Sequence, residues 1–359
     1  MAIYYSLYIL LILGAVLQKG LFKSKKGTRN YCVFAFILIA GLLAFRHPSM
    51  GVDLKYGETS GYLGAYQAIA KSSWDKVLHL DFKNYERGYV IFCKLISYIS
   101  KDEQCLLIVC ALVSIFPLSY LICKYSENCL LSFVIYLGLP VFLTNYSAMR
   151  QVIAIAITAF SYIFIRNKKP VLFILTVLLA SAFHSSAILF LVAYVLYYSG
   201  LMKRYRIASI LILPLVFLFR NPLFGILSKL LKDNAVPDNN SAVTLFIVFT
   251  AVYIFTIIYS NKDDAHEEGL KNLFWLACVC QAFGGVYSIA IRVGYYFMIY
   301  LVLLLPKTVA NINLKANDDN KTETVFYIII MICFAVFGLY SIRNGTWAMS
   351  YPYSFFWQV

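Results

Sequence analysis

The sequence predicts an all-α polytopic integral membrane protein, and three observations carry that prediction. The 359 residues are 61% hydrophobic and only 13% charged, with a mean hydropathy of +0.75, whereas soluble domains carry about a quarter charged residues. Apolar runs of roughly 17–20 residues, the length a helix needs to cross hydrocarbon, recur from end to end. The runs are continuous, whereas membrane β-barrel strands alternate polar and apolar residues in segments of about ten, so a barrel is excluded.

The opening stretch MAIYYSLYILLILGAVLQKG has no basic n-region and no small-residue cleavage site. It reads as a first span near 2–18 and not as a secretory leader. QKGLFKSKKGTRN follows, with Lys19, Lys23, Lys25, Lys26 and Arg29 and no acid, which places it in the cytoplasm. RNKKP (Arg166, Lys168, Lys169) and MKRYR (Lys203, Arg204, Arg206) form two more inside loops. Between these anchors the further spans fall near 31–45, 105–123, 129–145, 149–166, 170–184, 186–200, 207–220, 242–260, 272–290, 294–311 and 324–341. That makes about twelve, with both termini outside. The segments near 260–272 and 315–323 are mixed in sign and say less about orientation. GYVIFCKLISYIS (88–100) is too short to cross and would break the parity of the basic loops. It reads as an outer-face or re-entrant helix within a long extracytoplasmic loop, about 46–104. A second external loop covers about 220–242. Residues 1–359 are then one transmembrane domain, with no soluble domain and no clear internal repeat.

Several function classes drop out. The net charge of +14 is accounted for by cytoplasmic loops, and no basic stripe interleaved with aromatics argues for nucleic acid. The nine cysteines lie almost all in apolar runs without CxxC pairs and read as buried free thiols. There is no HExxH, no histidine pair at helical spacing and no aspartate cluster resembling DxD, so no metal site is expected. GxGxxG, Walker A and GxSxG elbows are missing as well, and no cofactor is implied.

What remains is a set of polar residues in an apolar frame. Under this topology Arg46, Asp53, Glu86, Arg150, His184 and Arg292 all fall on the outer side. Arg150 opens the run NYSAMRQVIAIAITAF, where the guanidinium, the Gln151 amide and the positive end of the helix dipole together make an anion site. The alternative is snorkelling to lipid phosphate. Arg292, in AIRVGYYF, repeats the pattern, and Tyr295 and Tyr296 after it are either interfacial-belt aromatics or sugar-stacking rings. His184 in FHSSA joins two runs; an imidazole takes and gives a proton near neutral pH, while a structural role at the turn is the plainer reading. Asp53, in GVDLKY with Tyr56 close by, is either a helix cap or a ligand. Glu86, in NYERGY, is either a solvated partner of Arg87 or part of the same outer group.

Taken in order, FRHPSMGVDLKY, YERGYVIF, NYSAMRQVIAIAI, ASAFHSSAI, AIRVGYYF and, loosely, YPYSFF resemble the EpsG family of exopolysaccharide and O-antigen polymerases of the Wzy type. The resemblance covers most of the chain, from 45 to 356. It implies a bacterial cytoplasmic (inner) membrane enzyme that transfers a nascent glycan from undecaprenyl diphosphate onto a single lipid-linked repeat unit at the outer face. The implied partners are undecaprenyl-diphosphate-linked oligosaccharides as donor and acceptor, the lipid bilayer, and a chain-length regulator as a candidate. With no metal expected, guanidinium groups would hold the diphosphate: Arg150 and Arg292, with Arg46 as a third candidate. Glu86, His184 and Asp53 are the candidate bases, Glu86 slightly ahead. Gln151, Tyr56, Tyr295 and Tyr296 are candidate substrate contacts. The rival readings are a lipid-linked oligosaccharide flippase, which would line a central cavity with charge, and a multispan O-acyltransferase, whose histidine should reach the cytoplasm.

Overall fold

The computed structural model describes all residues except 22–24, 80–81, 83, 232–242, 262, 313–320 and 359. The described residues are helical almost throughout, and Arg46 forms an isolated antiparallel bridge with Phe355. In chain order the helices begin with α1 (Ala2–Leu21), α2 (Lys25–Ala44), α3 (Gly61–Lys71), α4 (Trp74–Leu78), α5 (Arg87–Ile96) and α6 (Glu103–Tyr125). Then come α7 (Cys129–Gly138), α8 (Pro140–Ser147), α9 (Met149–Arg166), α10 (Pro170–Ser181), a 3-10 helix (Ser185–Leu191), α11 (Val192–Tyr198), α12 (Leu201–Arg204) and α13 (Arg206–Leu218). The series closes with α14 (Arg220–Leu231), α15 (Val243–Tyr259), α16 (Ala265–Ala282), α17 (Ser288–Met298), α18 (Leu301–Ala310) and α19 (Lys321–Asn344).

Among the described residues, four helices are long and apolar enough to cross a membrane: α2, α6, α9 and most of α19. Counting each sharply bent pair as one span gives up to seven. The bent pairs are α7 with α8 (61°), α13 with the first half of α14 (79°) and α17 with α18 (51°). The first has a local cause. Pro140 cannot donate to the helix before it but suits the first turn of the next, so α7 stops at Gly138 and α8 restarts. Each segment expected to span overlaps a helix or a bent pair, yet α10, α15 and the pieces around Ser185–Tyr198 are shorter than a full crossing. The external loop expected over 220–242 is helical to Leu231, and its remainder lies outside the described residues. Lys23 of the first basic loop lies outside them too.

The bundle forms by lateral packing, with α2 along α6, α6 along α9, α9 along α10, α16 along α17 and α7 along α19. α7 and α19 meet at Gly138, where a Cβ would lie 2.6 Å from the Phe334 carbonyl oxygen, so only glycine permits that approach. Caps define the polar ends. Asp102 accepts from the Gln104 amide at 2.7 Å to start α6, and Asp264 accepts from the amides of His266 and Glu267 to start α16.

The long segment between α2 and α6 folds as a cap. Tyr62, Tyr66, Tyr89, Val90 and Cys93 from α3 and α5 form an apolar cluster with Leu106 and Leu107 of α6 and Met149 and Ile153 of α9. Gly51, at φ +132, lets the chain pass the Tyr146 carbonyl, which an added Cβ would meet at 2.0 Å. The C-terminal tail ties down the beginning of this segment: the amide of His47 donates to Ser354 and that of Phe356 to Phe45.

α9 carries Arg150 at one end and Arg166 at the other, about 25 Å apart at 1.5 Å per residue. At the Arg166 end lies a second polar group that the mixed charges near 260–272 did not reveal. Glu268 accepts from Arg206 at 2.9 Å and from Lys271 at 2.5 Å, while Glu267 accepts from Thr308 and Asn311 at 3.0 and 2.8 Å. Lys307 reaches Asp264 at 2.7 Å. These pairs bind α13, α16 and α18 where the helices leave their apolar stretch.

Candidate functional site

Glu86 precedes α5 as its N-cap residue, and the helix is held by a close backbone contact. The Gly88 amide donates to the Ala182 carbonyl at 2.9 Å, just where α10 ends. A Cβ at Gly88 would stand 2.6 Å from that oxygen, so glycine brings Glu86 against the turn that carries His184. Glu86 Oε1 accepts from the Ser185 amide at 3.0 Å and lies 3.3 Å from His184 Nδ1. That spacing suits an ion pair with a protonated ring, although the ring nitrogen is off the line of a hydrogen bond. Glu86 Oε2 pairs with the guanidinium of Arg150.

Arg150 is fixed on several sides. Its Nε donates to the Tyr62 hydroxyl at 3.2 Å and its Nη1 to the Asn84 carbonyl at 3.2 Å. The guanidinium carbon also lies 5.0 Å from the Tyr85 ring centre and 5.7 Å from that of Tyr62. Arg150, Glu86 and His184 thus converge from three separated segments. Burial pushes the Glu86 carboxyl up. The His184 ring, the amides of Ser185 and of Glu86 itself, and the Arg150 charge outweigh burial and hold it at about 2.

α17 completes one flank. The Gln151 side-chain amide donates to the Arg292 carbonyl at 2.8 Å, so it ties α9 to α17 and is not a free donor beside Arg150. The Arg292 side chain is exposed and makes no hydrogen bond or ion pair among the described residues. Tyr296 is fully buried, with its hydroxyl 3.2 Å from that of Ser186. Its ring presents no free face to a sugar and supports the His184 turn. Tyr295, one residue earlier, lines a separate cavity.

The remaining expected residues sit elsewhere or at the margin. Asp53 is exposed, within electrostatic reach of Tyr62 and Tyr85. Its carbonyl, not its carboxylate, accepts from the Tyr62 amide at 3.0 Å, and Ser60 is the cap residue of α3. Arg46 is buried among Tyr4, Tyr146 and Tyr353, 5.1 Å over the Tyr146 ring, with its Nε unpartnered among the described residues. Tyr56 packs edge-on against His47 at 5.1 Å. Neither Arg46 nor Tyr56 contacts the Glu86 group. Tyr62, Tyr85 and Asn84, which grip Arg150, carry no sequence signal beyond the position of Asn84 and Tyr85 directly before Glu86.

A cleft of about 410 Å³, lined by Thr59, Ser60, Gly61, Phe82, Asn84 and Tyr85, adjoins this group only through Asn84 and Tyr85, which contact Arg150; Glu86, Arg150, His184 and Arg292 do not themselves line it. Among the described residues no three His, Cys, Asp or Glu side chains gather as metal donors do. The arrangement brings an imidazole within 3.3 Å of a carboxylate that is itself paired with a guanidinium, with the backbone of Arg292 tied alongside through Gln151. The model of the EpsG family matches residues 29–355 of this chain. No curated protein and no solved structure matches it.

Proposed function

This chain belongs to the EpsG family of Wzy-like polymerases, and on that premise we propose that it is a glycosyltransferase joining undecaprenyl-diphosphate-linked repeat units into O-antigen, capsule or exopolysaccharide. The observation that carries the reading is the meeting of Arg150, Glu86 and His184, from α9, the cap and the α10 turn, beside a cleft.

In this reading His184 is the base that takes the proton from the acceptor hydroxyl. Glu86 lies 3.3 Å from the ring, in position to balance the positive charge that the imidazole gains as it takes that proton. That ordering replaces the slight preference for Glu86 as base, because a carboxyl held at about 2 accepts a proton weakly near neutral pH. Arg292 supplies the uncommitted fork for the departing diphosphate, and Arg150 adds charge from its Glu86-bound position. No divalent ion is invoked; the two guanidiniums carry the leaving-group charge. Asp53, the third candidate base, has no part in this reading.

The same reading places the site on the outer face of the bacterial cytoplasmic membrane. About twelve crossings, with the bent and short helices counted, put the basic loops inside. A chain-length regulator is a further candidate partner.

The test is a gene deletion complemented in cells, with lipid-linked products sized. The deletion is expected to accumulate single repeats on lipid, and Arg150→Ala at normal protein level to do the same. Long glycan in the deletion would reject the polymerase reading.

A further inference from the structure

A cavity of about 570 Å³ lies across α17 from the Glu86 group. α17 presents Ile291 and Tyr295, one helical turn apart, to this cavity, while Tyr296 turns to Ser186. Tyr340 and Trp347 add aromatic faces, and no acidic or basic side chain lines it among the described residues.

Gln281 decides its character. The side chain is 1% exposed, yet neither its Oε1 nor its Nε2 has a hydrogen-bond partner among the described residues. An unpaired buried amide is costly, and one that lines a cavity is completed by whatever enters it. An amide presents a donor and an acceptor side by side, which matches neighbouring hydroxyls on a sugar ring, and aromatic faces suit the C–H face of that ring. The edge of the cavity is also joined to the cap. The Ser147 hydroxyl donates to the Trp347 carbonyl at 3.2 Å and accepts from the Val52 amide, next to Asp53.

We infer that this cavity is a subsite for a neutral sugar residue, with Gln281 its hydrogen-bonding anchor. Its role as a hold on the growing or incoming glycan rests on the polymerase reading; sugar binding itself does not. An isoprenoid tail is the competing occupant, since Pro140, Leu143, Leu245 and Phe337 are apolar. It would leave both amide atoms of Gln281 unpaired.

The test uses the full-length protein purified in nanodiscs and two probes measured by calorimetry. One probe is a set of oligosaccharides of one to three repeat units cut from the host's own surface polysaccharide, and the other is undecaprenyl phosphate. The oligosaccharides are expected to bind, and Gln281→Leu to weaken them by about tenfold or more. The same variant should match or exceed the wild-type Tm, because it removes two unpaired polar atoms from a buried position. Equal oligosaccharide affinity in Gln281→Leu would overturn the inference. So would a clear fall in Tm, which would mark the amide as structural, or binding of undecaprenyl phosphate alone. Because no polymerisation is read, oligosaccharide binding by a chain whose deletion leaves long glycan intact would keep the subsite and reject the polymerase.

Discussion

Glu86 is the residue whose state is most open to measurement. Burial raises its carboxyl, the neighbouring donors and Arg150 lower it further, and the net position is about 2 against an ordinary 4.5. A depressed carboxylate contributes stability that is whole above about pH 4.5 and fades as pH falls toward 2. Thermal unfolding of the wild type should therefore lose stability over that acid range, and Glu86→Gln should lack that component of the loss. Parallel acid limbs would show that the contacts of Glu86 with the His184–Ser185 turn and with Arg150 do not hold its carboxyl down in solution. Arg150→Lys keeps the charge but loses the fork, and its polymerisation rate should fall about 10²–10³-fold with protein level unchanged. An arginine at the mouth of an apolar helix was legible in the sequence because such a placement is costly without a purpose. Its tyrosine partners were not, since Tyr62 and Tyr85 are two among 29 tyrosines.

Helix α5 shows why a short element can matter more than a long one. Its ten residues cannot span a bilayer, and their task is to set Glu86 against the α10 turn through the contact at Gly88. Gly88→Ala inserts a methyl 2.6 Å from a backbone oxygen that cannot yield locally. Chemical denaturation should show a loss of about 1–3 kcal/mol, together with impaired polymerisation because Glu86 and His184 move apart. Unchanged activity would detach α5 from the site. At this scale the sequence was informative where apolar runs were long, as in α2, α6 and α9. It was also informative that 88–100 does not cross. It showed a long loop carrying short helices but not how they pack as a cap, because α3 and α5 bury only one face and their partners on α6 and α9 are distant in the chain. It was silent on Gln151 for the same reason: an amide aimed at the backbone of α17 looks no different in sequence from one aimed at a ligand.

Across the whole molecule, two charged groups among the described residues lie toward opposite ends of α9. One end carries Arg150, Glu86, His184 and Arg292; the other carries the network of Arg206, Glu268 and Lys271. Lys271 is buried, so Lys271→Met strips one of two cationic partners from Glu268, which keeps Arg206, and should cost about 1–3 kcal/mol of stability. A glycan subsite or catalytic defect is not expected from it beyond that loss. The mixed charges near 260–272 contain the Glu268–Lys271 pair, but they gave no hint of its ties to Arg206 on α13 or of those of Glu267 to Thr308 on α18, which are distant in the chain. Orientation was read only from lysine and arginine bias. A reporter active only outside the cytoplasm should accordingly work when fused at the C-terminus and fail at Gly200. The most direct measurement is reconstitution. Wild-type protein in liposomes, supplied with purified lipid-linked repeats, should lengthen the glycan and release one undecaprenyl diphosphate for each linkage formed, whereas His184→Gln and Arg150→Ala should do neither. Equal lengthening by both variants would contradict the claim that these side chains form the catalytic site.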